Sequence, residues 1–74
     1  MTRKPTRVTN NIRTLRFMNN EMTQADLAEQ IGVTRQTVIA IEQGRYSPTL
    51  EVAFLIARAF KVPLEEVFQF PEYK

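Results

Sequence analysis

From Asn11 onward the apolar positions of the chain recur at helical spacing, in short runs separated by residues that cap or break helices. Ile12, Leu15 and Met18 make one stripe, which predicts a helix from about Asn11 to Asn19. A second run has Thr23 as N-cap, Asp26 at the capping-box position and Gly32 just past its end, with Ala25, Leu27, Ala28 and Ile31 as its core face. A third helix starts at the capping hydroxyl of Thr34 and ends at Gly44, and a fourth starts at Thr49, after Ser47-Pro48, and runs to Phe60. "PLEEVF" predicts a fifth. "LEVAFLIARAF" is apolar almost all round, which places the fourth helix at the centre of a small bundle and leaves room for a second buried face. Glycines and prolines fall only at the breaks, so the chain reads as five short helices in one all-α domain.

The third helix carries an outer face that a core does not explain. At about 100° per residue, Val38 and Ile41 fall together and face inward with Val33. Gln36, Ile39, Ala40 and Gln43 lie on the far side, with Arg35 at the flank. A helix face meant only for water favours Glu, Lys and Gln. A face of short, polar and basic residues with one β-branched apolar residue is shaped to lie against another surface. A capped helix, a turn through "IGV" and a second capped helix with one free face form the helix-turn-helix arrangement, in which the second helix enters the major groove of DNA.

Composition narrows the alternatives. The 74 residues contain no cysteine and no histidine, which removes disulfides, thiolate nucleophiles, imidazole acid/base chemistry and almost every structural zinc pattern. No nucleophile and base pair, metal cluster or phosphate-binding glycine loop is present, so neither an enzyme nor a cofactor is expected. A soluble cytoplasmic protein is expected, because the longest apolar run, "VAFLIA", is far too short to span a membrane and no signal-peptide pattern follows the basic N-terminus. Net charge is only +2, yet residues 1 to 20 hold Arg3, Lys4, Arg7, Arg13 and Arg16 with no acid. Residues 50 to 74 balance Glu51, Glu65, Glu66 and Glu72 against Arg58, Lys61 and Lys74, so a polyanion should meet the first two-thirds of the chain.

"TQADLA", "GVTRQTV", "IEQGRYSPTL" and "PLEEVF", in this order and spacing, closely resemble the Cro/repressor-type helix-turn-helix family, also called the XRE family. The resemblance covers about residues 11 to 70 and implies a five-helix fold like that of the lambda repressor. The compact form with a "VFQF" end is similar to a small dimeric subgroup that includes the cytolysin-operon repressor. In that subgroup the termini pair in a small two-stranded sheet, which would join "RVT" to "FQF" here. The expected organisation is a basic arm or short strand over 1–9, a DNA-binding domain over 10–70 with its helix-turn-helix at 23–43, and a tail over 71–74.

The same resemblance implies roles. Arg35 and Gln36 occupy the base-reading positions, where Arg suits guanine and Gln suits adenine. Ile39 and Ala40 follow one turn later. Ile39 either presses on a thymine methyl or packs on a neighbouring loop. Thr23 and Thr34 sit at helix N-termini that offer N–H groups to phosphates. Gln24 would touch a phosphate and brace the start of the third helix. Thr37, Arg45 and Tyr46 resemble backbone-contacting positions, with Tyr46 equally able to staple the bundle. Arg16 and Glu42 correspond to a pair that bridges the first and third helices. "FMNNEMT" is one residue longer than its counterpart in phage repressors, which puts the phosphate contacts of that turn in question. Arg3 and Lys4 belong either to an arm along DNA or to a solvated tail.

The expected function is a sequence-specific DNA-binding regulator with double-stranded DNA as partner. It is read as a repressor because 74 residues leave no room for an effector or activation domain. An antitoxin that binds its own promoter is the alternative. A homodimer is expected, since one recognition helix spans too few base pairs to select a site, with Val62, Pro63, Leu64 and Phe68 at its interface. No metal, small-molecule ligand or membrane enters this reading.

Overall fold

A computed structural model describes residues 6–71. Five helices, α1 (Ile12–Met18), α2 (Gln24–Ile31), α3 (Arg35–Glu42), α4 (Leu50–Phe60) and α5 (Leu64–Val67), follow a short strand β1 (Thr9–Asn10) and precede a second, β2 (Phe68–Gln69). The strands pair antiparallel, Thr9 opposite Gln69 and Asn10 opposite Phe68, and so tie the two ends of the domain together. The expected terminal sheet is present, one residue further along the first segment than "RVT". Arg7 adds to the closure by lying 5.3 Å over the Phe70 ring.

Each of the three longer helices begins at a threonine whose hydroxyl accepts a backbone N–H: Thr23 from Asp26, Thr34 from Thr37 and Thr49 from Val52. At Thr23 the box is complete, because the Asp26 carboxylate accepts the Thr23 N–H in return. The helices end in a common way. Beyond α2, α3 and α4 the chain enters the left-handed region at Gly32, Gly44 and Lys61, and the next N–H reaches back to a carbonyl one turn earlier. Glycine relieves the cost at the first two. At Lys61, φ 59° is held by an ordinary side chain, which in this region is strained. Lys61→Gly should therefore stabilise the fold by about 0.5–1 kcal/mol, the relief being partly offset by a looser unfolded chain. Thermal unfolding at fixed protein concentration should show a rise of roughly 2–8 °C, and a fall would contradict this account.

Ile12, Leu27, Val38, Ile41, Ile56 and Val67 are almost completely buried at the centre. On α4 the inward stripe is Ala53, Ile56, Ala57 and Phe60, at i, i+3, i+4 and i+7. Two expected core residues are outside. Met18 is exposed: α1 turns Ile12, Leu15, Arg16 and Asn19 inward, and Met18 lies about 120° round from Ile12. Ala25 is exposed for the same reason, since the inward stripe of α2 is Gln24, Leu27, Ala28 and Ile31. The second face of α4 is not buried either, for Leu50 and Phe54 are 68% and 51% exposed. The lengthened turn before α2 is accommodated by two consecutive left-handed residues, Asn20 and Glu21.

Candidate nucleic-acid interface

The helix-turn-helix consists of α2, the turn at Gly32 and α3. Val38 and Ile41 fix α3 to the core, and Leu27, Ala28 and Ile31 do the same for α2, so the angle between the helices is set by buried contacts. The outer side of α3 is then presented. Arg35 and Gln36 are exposed in its first turn, Ile39 and Ala40 are half-buried one turn later, and Gln43 is exposed at the end. Among the described residues, the side chains of Arg35, Gln36, Gln43 and Arg45 make no hydrogen bond or ion pair within the chain. Their donors point to water or to a partner.

The start of α3 is held locally. The Thr34 hydroxyl caps the Thr37 N–H at 3.2 Å and lies 3.0 Å from the Thr37 hydroxyl, which fixes both side chains. The far end is held by a polar knot. Arg16 presents its guanidinium side-on to Glu42, Nε to Oε2 at 2.9 Å and Nη2 to Oε1 at 3.1 Å, while Nη1 donates to the Met22 carbonyl at 2.9 Å. These two side chains are 11% and 12% exposed. The implied bridge between the first and third helices is therefore present, and it also ties down the turn before α2. Gln24 joins it by donating from Nε2 to Glu42 Oε1 at 3.1 Å. This corrects the expectation that Gln24 braces the start of α3. The inward stripe of α2 aims it at the other end, the last turn.

Sequence reasoning missed Asn10. Its side-chain amide donates to the carbonyls of Ile41 and Glu42 in the last turn of α3, at 3.1 and 3.3 Å, the first of which also accepts the Gly44 N–H. Its Oδ1 accepts the Ile12 N–H at 3.1 Å and so starts α1 as well. The N-cap position itself belongs to Asn11, whose side chain makes no capping bond, so nothing local to the chain signals the role of Asn10.

The other expected residues divide. Arg45 is exposed just beyond α3, whereas the Tyr46 ring packs against the core, in the stapling position. Of the interface residues, Val62, Pro63 and Leu64 line one apolar groove with Phe54, Ala57, Arg58 and Lys61. Phe68 is not in it. In β2 it lines a small pocket with Val8 and Tyr46. Arg3 and Lys4 lie outside the described residues. No group of three or more metal-ligating side chains occurs among the described residues, and no helix is long and apolar enough to cross a membrane.

The profile of the helix-turn-helix family matches residues 12–67. An uncharacterized HTH-type transcriptional regulator of Methanocaldococcus jannaschii is 49% identical over 59 residues, covering 80% of this chain and 88% of that protein. A regulator of the same description from Methanothermobacter thermautotrophicus is 56% identical over 48 residues, 64% of this chain and 70% of its own length. The cryptic phage CTXphi transcriptional repressor RstR of Vibrio cholerae is 38% identical over 56 residues, 76% of this chain and half of that protein. With the motif, the capped helix pair and the match in hand, the chain belongs to the XRE-type helix-turn-helix family of DNA-binding regulators.

Proposed function

We propose that this protein is a transcriptional repressor that binds an inverted-repeat operator as a homodimer and acts in the cytoplasm. The observation that carries the reading is the pair of uncommitted side chains, Arg35 and Gln36, in the first turn of a helix whose opposite side is locked to the core. Arg donates two hydrogen bonds to guanine, and Gln both donates to and accepts from adenine. Ile39 and Ala40 continue the same face. Thr23, Gln24, Thr34, Thr37, Arg45 and Tyr46 are assigned to the DNA backbone, and Arg3 and Lys4 to an arm along it. The repressor role draws support from the phage repressor among the relatives. The paired termini support a place beside the cytolysin-operon repressor.

Selection of bound sequences from a randomised duplex library tests the reading. Arg35→Ala should cost about 1–3 kcal/mol on the preferred site and relax preference at one base pair, whereas Arg45→Ala should weaken all sequences alike. Uniform loss in both variants would overturn the assignment of α3 as the reading helix.

A further inference from the structure

A polar cleft runs between α1, the first residue of α2 and the end of α3, lined by Arg13, Thr14, Gln24, Glu42 and Gln43. It opens beside the outer face of α3, with Gln43 belonging to both. The only carboxylate in it is already used, since both oxygens of Glu42 accept from Arg16 and one also from Gln24. Arg13 is different. It is exposed, and among the described residues it forms no ion pair. The cleft therefore keeps one uncompensated positive charge, flanked by the free Thr14 hydroxyl and the free Gln43 amide.

Phe17 explains how that charge is held. It is 55% exposed, so one face of its ring is open to the basic side chains of α1. One turn along α1, the Arg13 guanidinium lies 5.7 Å from its ring centroid, and Arg16 lies 5.9 Å from the same ring. The ring is a platform that restricts Arg13 while leaving its N–H groups outward.

We propose that Arg13 contacts a DNA phosphate, with Phe17 as its positioning residue, so that the DNA-binding surface extends from α3 across the cleft onto α1. A backbone phosphate is the ligand that fits: one fixed positive charge and neutral donors give a sequence-independent anion contact with no base-reading geometry. The inference rests on the proposed reading of α3, and the test separates the two.

Affinity for a labelled random-sequence duplex of about 30 base pairs is measured across roughly 50–300 mM salt. Arg13→Ala should lower affinity about three- to tenfold near 0.1 M salt and reduce the slope of log K against log salt by about 0.9. Arg13→Lys should keep the slope, and base preference in a randomised library should stay that of the wild type in both. Phe17→Leu, which keeps apolar bulk without the ring face, should lower affinity about two- to fivefold at unchanged slope. Wild-type slope and affinity in Arg13→Ala would overturn the inference while leaving Arg35 and the α3 reading in place. Unchanged affinity in Phe17→Leu would remove the platform role. A wild-type chain that binds no duplex at the lowest salt would overturn both readings together.

Discussion

Arg16→Ala is expected to destabilise the fold by about 3–5 kcal/mol, because it leaves the Glu42 carboxylate nearly buried with only the Gln24 amide for a partner. Domains of this length have a total stability of roughly 4–11 kcal/mol, so the loss takes a large share of it. Three hydrogen bonds from one guanidinium go at once: two to Glu42 and one to the Met22 carbonyl. Glu42→Ala should cost a similar amount, since it strands the guanidinium. The effect reflects an unpaired charge more than the worth of the pair. A double variant with Arg16→Met and Glu42→Leu should therefore recover most of the loss. Urea unfolding read as a midpoint shift at constant slope checks both parts. An Arg16→Ala midpoint equal to that of the wild type would show that the knot contributes nothing to stability.

That knot also marks where the sequence was legible and where it stopped being so. Threonine caps, left-handed glycines and apolar spacing located α1 to α4 to within a residue or two, because each rests on chemistry local to the chain. Met18 and Ala25 lie outside because polar members of their helices take the inward positions that apolar spacing alone assigns to them. Arg16 on α1 and Gln24 on α2 take inward positions that only a partner on another helix, Glu42, makes affordable. The bridge from Asn10 to α3 is hidden for the same reason, its acceptors there being more than thirty residues away. The turn at Asn20 and Glu21 was visible as an extra residue, but its left-handed backbone was not, since neither residue is glycine. The outward direction of Gln36 and Gln43 was legible, since helical geometry turns both away once Val38 and Ile41 are core, with Arg35 at the flank. The half-burial of Ile39 and Ala40 depends on neighbours outside the helix and was not legible. Phe68 and Leu64 share apolar character in the sequence but line different pockets. The backbone becomes extended at Phe68, φ −123° and ψ 140°, and carries it into the sheet.

The proposed dimer supplies the largest expected effect on binding. Leu64→Glu should reduce operator affinity by about 10²–10⁴-fold, the advantage lost when two linked half-site contacts become separate ones. The argument begins with unpartnered apolar surface. Leu50 and Phe54 stand one turn apart on the exposed side of α4, and Phe54 continues into the groove of Val62, Pro63 and Leu64. Arg58 and Lys61 line this groove, while Glu65 and Glu66 stand exposed on the neighbouring helix. A face with apolar floor, basic side and acidic side matches a copy of itself turned by a two-fold axis, as an isologous contact requires. A carboxylate at Leu64 would break the apolar floor and carry its desolvation cost into the contact, which an ion pair with Arg58 or Lys61 repays only in part. Because Leu64 also packs on the core, Phe54→Glu serves as a second variant at a more exposed position of the same groove. Sedimentation of the wild type at micromolar concentration should give twice the 8.6 kDa chain mass, and both variants should give a single chain mass with helical content unchanged. Footprints of the wild type should show an inverted repeat with half-site centres about one helical turn, roughly 34 Å, apart. A wild-type monomer that protects one asymmetric half-site with full affinity would overturn the dimer.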